Sequence, residues 1–259
     1  MLLPGLCSIT FRSLSAREIV SLVAGNRLAA IEWGGDIHVP AGRLDTADEV
    51  RRMCADAGLQ TPSYGSYFRV EPDGTGFQPV LESALALGAR TIRVWAGRKP
   101  SRETDAAYLG GLAECGRSCA EAAARAGCVI GFEYHPGTAT DSNESALRLI
   151  REIGHPAVRL YWQPRQKTSP ADRFSGLRES LPWLAHLHVF QWTGEDDTRL
   201  PLAAGAEQWR AWFQCASEAP GDRCAYLEFV ENDEVASFAR DAATLRELLN
   251  LKASPESKG

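Results

Sequence analysis

No CxxC pair occurs among the seven cysteines, and their number is odd. A disulfide framework therefore has nothing to rest on. Cys115 and Cys119, one helical turn apart in an alanine-rich run, read as reduced thiols serving as small apolar residues. Positive charge is not in excess either: 28 Lys and Arg face 33 Asp and Glu, a net charge of −5, which argues against affinity built on neutralising phosphate backbones. No segment approaches the roughly 18 consecutive apolar residues of a membrane span. The opening MLLPGLCS lacks the basic and long apolar regions of a leader. The expectation is a cytoplasmic chain with neither a nucleic acid nor a membrane as partner. A glycine-rich GxGxxG turn is also missing after the first apolar run, and no linker-like stretch interrupts the chain before the polar end ASPESKG.

What the chain does have is repetition. LCSITFR alternates apolar and polar residues as a strand does, and Ser15 with Glu18 forms a capping box ahead of the helical run EIVSLVAG. AAIEWGGD follows, then a helix expected to be capped by Thr46 and Glu49 and ended at Gly58. The same order recurs from TPSYGSYF, TIRVWAG, CVIGFEYHPG, VRLYWQP, LAHLHVFQW and CAYLEFV, each trailed by a helical pattern. Eight unbroken strand–helix units predict an α/β fold: a single (β/α)8 TIM barrel over residues 1–252 with a disordered tail, 253–259. In such a barrel, functional groups lie at the C-terminal ends of the strands.

Strand side chains alternate between faces, so the inward set at each end can be read from the pattern. It comprises Arg93 and Trp95, Glu133 and His135, Tyr161 and Gln163, His186 and His188, Glu228, and Glu32 on the second strand. The first strand offers Ser8, Thr10 and Arg12 on its polar face. Carboxylates and imidazoles converging at one end can hold a hard divalent cation through Glu133, His188 and Glu228. His186 reads as deeper and structural, and His155 as a turn residue at the opposite face. His135 serves either a substrate or the HPG turn, and His38 is placed to close over the site. Trp33, Trp95, Trp162 and Trp192, with Tyr64 and Tyr67, either fill the barrel mouth or stack on a sugar. Arg12, Arg69, Arg93 and Arg199 are candidate phosphate or carboxylate ligands, and GEDDTR reads as a mobile loop.

Glu133 in FEYHPG, His188 in HLHVFQW, Arg199 in DTRLPLAAG and Glu228 in YLEFV together resemble the xylose isomerase-like TIM barrel superfamily of sugar isomerases and epimerases, which also holds the endonuclease IV type of repair enzyme. The resemblance implies one metal, manganese, magnesium or cobalt rather than zinc, bound by Glu133, His188, Glu228 and a strand-six aspartate whose place is taken by Gln163. Gln166 stands where some epimerases carry a substrate-binding histidine. An endonuclease would need a three-zinc cluster, and Tyr64, Arg93, Trp95 and Gln163 occupy those strand ends instead. The implied activity is carbohydrate isomerisation or epimerisation through an enediolate, with Glu133 and Glu228 exchanging acid and base roles. A metal-dependent lyase or dehydratase, or a sugar-binding protein without catalysis, are the alternatives. The expected partner is a small carbohydrate, and self-association is left open.

Overall fold

The computed structural model describes residues 1–193 and 197–250. Eight parallel strands close into one barrel in sequence order: β1 (Leu2–Cys7), β2 (Ala30–Gly34), β3 (Gln60–Val70), β4 (Thr91–Ala96), β5 (Val129–Phe132), β6 (Val158–Trp162), β7 (Leu184–Val189) and β8 (Arg223–Leu227). Helices α1 (Ala16–Gly25), α2 (Leu44–Asp56), α3 (Phe77–Leu87), α4 (Ala106–Arg125), α5 (Asn143–Ile153), α6 (Pro170–Ser180), α7 (Ala206–Ala216) and α8 (Val235–Leu248) follow one strand each. The eight expected units and the closed barrel are all present. The expected tail lies within 251–259, and part of GEDDTR within 194–196, both outside the described residues.

Two boundaries differ from the sequence reading. The first strand is not LCSITFR: Leu2–Leu6 pair with Arg223–Leu227, and Ser8–Phe11 turn away as a 3-10 segment. Closure onto β8 recruits the N-terminal residues, and the polar alternation of Ser8 and Thr10 belongs to that turn, where Ser8 Oγ receives the Gly34 N–H at 2.9 Å. Ser8, Thr10 and Arg12 therefore do not share a strand face. Helix α2 starts at Leu44, before Thr46, with Arg43 at its cap and no side-chain cap bond. A tight turn, Arg43 N–H to Pro40 O at 3.0 Å, has already set its direction. The Ser15–Glu18 capping box is formed as read, and Gly58 leaves α2 at φ +68°.

Between barrel and helices lies an apolar layer in which Trp162 meets Trp209 and Trp212 at 6.1 and 5.2 Å between ring centroids. Inside the barrel the filling is mixed. Tyr161, Tyr226 and His186 are buried there, and the His186 ring takes the Cys224 N–H and faces Thr91 Oγ1, a structural use. Space at that level is fully taken. A Cβ on Gly5 would stand 2.6 Å from the Tyr226 ring and 2.7 Å from the Ala30 carbonyl oxygen. Gly5→Ala is expected to cost about 1–3 kcal/mol through overpacking. Urea unfolding checks this, and an unchanged midpoint would contradict the interior packing described.

Candidate active site

Strand alternation places Glu32, Arg93, Glu133, His188 and Glu228 inside the barrel near the C-terminal strand ends, all of them buried. Glu32 is the most connected. Its carboxylate accepts from Arg93 Nε at 2.9 Å, Ser63 Oγ at 2.9 Å and Tyr161 OH at 2.7 Å, and meets His188 Nε2 at 3.2 Å. Burial alone would raise its pKa, but the Arg93 guanidinium and His188 outweigh that and hold it far below the usual carboxylate range. Arg93 continues to Glu133, whose Oε2 accepts from both Arg93 Nη1 and Trp95 Nε1. Against the penalty of burial, Arg93 and His188 keep the Glu133 carboxyl down at about 2. The guanidinium has room because position 65 has no side chain: a Cβ there would lie 2.6 Å from Arg93 Nη2.

The Glu32 contact orients His188. With Nε2 directed at a carboxylate, Nδ1 is turned toward the strand ends, as when a carboxylate orients a metal-binding histidine. Three oxygens gather at that nitrogen: Gln163 Oε1 at 3.0 Å, Glu228 Oε2 at 3.4 Å and Glu133 Oε1 at 3.6 Å. One imidazole nitrogen can serve only one of three acceptors. A small cation would satisfy them together, since neighbouring ligands bound at about 2.1 Å stand roughly 3 Å apart. Gln163 is held for this role by its other end, because Nε2 donates to the Tyr134 carbonyl at 2.6 Å and so fixes Oε1 inward. Cys7, His188 and Glu228 also lie within reach of a common point. Burial, however, drives the Cys7 thiol far above its ordinary pKa and its Sγ faces Glu32 Oε1 at 3.6 Å, on the Nε2 side of the ring. The oxygen-rich set around Nδ1 is the better match for a hard cation.

Glu228 differs from Glu133. Its side chain makes no hydrogen bond to a described residue, and burial, helped by Glu133 and opposed by His188, pushes its carboxyl up to about 6. It opens onto a cavity of about 900 Å³ that Arg93, Trp95, Glu133, His135, Gln163, Gln166 and Trp192 also line. Tyr67 lines it too, from a bulge in β3 at φ +58°, with its ring against Trp95 and above Arg93.

Several residues read as substrate ligands are elsewhere. Trp33, Tyr64 and Trp162 alternate with the inward Glu32, Ser63 and Tyr161 and so point to the helix layer. Tyr64 OH donates to the Val39 carbonyl at 2.7 Å. His38 bonds Ser8 Oγ at 2.9 Å and stacks edge-on to Trp33, fixing a turn rather than covering the cavity. Arg199 pairs with Asp233 and lies over Phe229, 4.7 Å from the ring centroid, behind the wall that Phe229 and Trp192 present. Glu32 is the group whose importance the sequence reading missed, although a lone acid within AAIEWGG was its signal. Glu32→Gln is expected to leave Arg93 and His188 without their shared counter-charge and to lower stability by about 3–5 kcal/mol. Tyr161→Phe, which removes one neutral donor, should cost about 1 kcal/mol. Equal losses in guanidinium chloride unfolding would contradict the assigned charge network.

Comparison with known proteins gives three relatives of note. A 3-dehydroshikimate dehydratase of Bacillus anthracis is 26% identical over 200 residues, covering 71% of this chain and 69% of that protein. The solved structure of a probable 3-DHS dehydratase involved in petrobactin synthesis from Bacillus anthracis superposes with a TM-score of 0.81 at 20% identity, over 95% of this chain and 98% of that one. D-psicose 3-epimerase, solved in the presence of D-fructose, gives a TM-score of 0.71 at 14% identity, over 96% and 99% of the two chains. At such identities the two structural matches speak for the fold alone. The family model for xylose isomerase-like TIM barrels matches residues 24–248, and with the closed eight-stranded barrel this makes the chain a member of the xylose isomerase-like TIM barrel family.

Proposed function

We propose that this protein is a metal-dependent dehydratase that removes water from a small polyhydroxylated carbonyl compound. The observation that supports this reading is the inequality of the two glutamates. Glu133 is fixed as a carboxylate by Arg93 and Trp95, whereas Glu228 has no hydrogen-bond partner among the described residues and faces the cavity. Elimination needs one mobile acid–base group; inversion of a centre uses two that exchange roles. The dehydratase named among the relatives points the same way.

Glu133, Gln163, His188 and Glu228 would hold the cation, which when bound polarises the substrate carbonyl and adjacent hydroxyl oxygens. The Glu228 carboxylate takes the proton from the carbon next to the carbonyl. The same carboxyl returns that proton to the hydroxyl on the following carbon; the C–O bond breaks, water leaves and a conjugated C=C bond remains. Arg93 keeps Glu133 ionised and still, while Tyr67, Trp95 and Trp192 present ring faces that suit the apolar side of a cyclic or sugar-like substrate.

A second reading is carbohydrate epimerisation or isomerisation. It is favoured by Glu133 Oε1, which makes no hydrogen bond to a described residue and stands 3.6 Å from His188 Nδ1, leaving that oxygen available as a second proton carrier. Incubation of Mn²⁺-loaded enzyme in D₂O with 3-dehydroshikimate and a panel of ketohexoses and ketopentoses separates the readings. Loss of water with a new ultraviolet-absorbing product is expected, and Glu228→Gln should reduce it by about 10²-fold or more while leaving the fold intact. Deuterated epimers without dehydration would transfer the site to the second reading. Neither product nor deuterium uptake across the panel would remove both.

Metal binding has its own readout. Calorimetric titration with Mn²⁺ should show affinity falling about tenfold or more in Glu133→Gln, and rising roughly tenfold in Gln163→Asp, which adds a charge to the ligand set. Unchanged affinity in Gln163→Asp would take residue 163 out of the coordination sphere.

A further inference from the structure

The groups that act on the reacting carbon come from strands, but one side of the cavity is walled by the loop between β6 and α6, residues 163–169. Three consecutive side chains of this loop line the cavity: Arg165, Gln166 and Lys167. Among the described residues, the Arg165 guanidinium and the Lys167 ammonium have neither hydrogen-bond nor ion-pair partners, and the buried Gln166 Oε1 is also unpartnered. The assignment of amide oxygen and nitrogen is interchangeable, so Gln166 offers this space either a donor or an acceptor.

The loop is built to hold its shape. The Arg165 carbonyl accepts from Arg173 Nε at 2.8 Å and from Thr168 Oγ1 at 2.8 Å, and Lys167 sits at φ +59°. Ser169 then caps α6 through the Asp172 N–H. Nor are the two cations neutralised from across the cavity. Glu133 is occupied by Arg93, Asp141 receives the Ser101 N–H at 3.2 Å, and Glu103 pairs with Arg102 at 3.0 Å. The remaining acids of the lining, Asp197 and Glu228, form no ion pair with Arg165 or Lys167. A guanidinium and an ammonium flanking a bare amide in a partly enclosed cavity suit anionic oxygens, the guanidinium through paired N–H donors.

We propose that the β6–α6 loop is an anion subsite of this cavity: Arg165, with Lys167 and the Gln166 amide, binds a carboxylate or phosphate carried by the substrate away from its reacting carbon. This rests on the cavity being the active site and narrows the substrate to an anionic hydroxy-carbonyl compound. The test reads binding, so it stands apart from turnover. Trp95 and Trp192 line the cavity, and quenching of tryptophan emission follows its occupation. Four probes are titrated: 3,4-dihydroxybenzoate against its methyl ester, and fructose 6-phosphate against fructose. One anion is expected to bind about tenfold or more tightly than its uncharged counterpart, and which one does so tells carboxylate from phosphate. Arg165→Gln should erase that preference and leave the affinity of the uncharged probe unchanged, while Arg165→Lys should restore part of it. The proposal is overturned if neither anion is preferred, or if the preference survives in an Arg165→Gln/Lys167→Gln double variant. Anion preference without dehydration activity would overturn the dehydratase reading and leave the subsite standing.

Discussion

A guanidinium taken out of water must keep its counter-charges close, because desolvation otherwise costs several kcal/mol. Arg93 meets that constraint with two carboxylates at once, Glu32 on one side and Glu133 on the other. Much of the mouth of the barrel depends on this arrangement. Glu32, held ionised, can accept from Tyr161 and Ser63 and still face the imidazole of His188. His188 then has one nitrogen committed and one turned to the cluster of oxygens. Glu133 is pinned and Glu228 is not, so two residues of the same chemical type acquire different proton chemistry within one pocket. The missing side chain at Gly65 belongs to the same device, since it makes room for the guanidinium.

Strand ends and loops contribute different groups to the cavity. Glu133, Gln163, His188 and Glu228 stand on or immediately after β5 to β8, held by the barrel's hydrogen-bond ladder. Farther out, the charged residues that line the cavity stand on loops: Arg102 and Glu103 after β4, Asp141 after β5, Arg165 and Lys167 after β6, and Asp197 after β7. Loop positions can change with little cost to the barrel, whereas a shift at a strand end disturbs several neighbours together.

The barrel was legible because its signals are local: a period of two, then a cap, then a period near 3.6, eight times over. The convergence of Glu133, His188 and Glu228 at one end of the barrel was legible because each breaks an apolar strand near its end. For Trp33, Trp162 and Tyr64 the errors were errors of phase. Trp33 follows Glu32 and Trp162 follows Tyr161, so placing either acid or tyrosine inward already sends the tryptophan outward. Tyr64 is decided in the same way by Ser63. The bulge that brings Tyr67 into the cavity at φ +58° carries no such local signal, because it arises from a register shift between β3 and β4. Pairing of Arg93 with both glutamates was likewise beyond the sequence, since it depends on how far apart barrel closure sets three strands.

The contacts of Glu32 also bear on the order in which the chain can acquire its final form. Its partners Ser63, Arg93, Tyr161 and His188 lie 31, 61, 129 and 156 residues further along. A growing polypeptide exposes this carboxylate long before the tyrosine and the imidazole that complete its surroundings have been made. Loop closure over such separations is entropically slow, and a partial barrel ending before β6 would bury an acid with half its partners missing. Fragments of this chain are therefore poor autonomous folding units, and the polar mouth can set only in the step that brings the last strands round to the first.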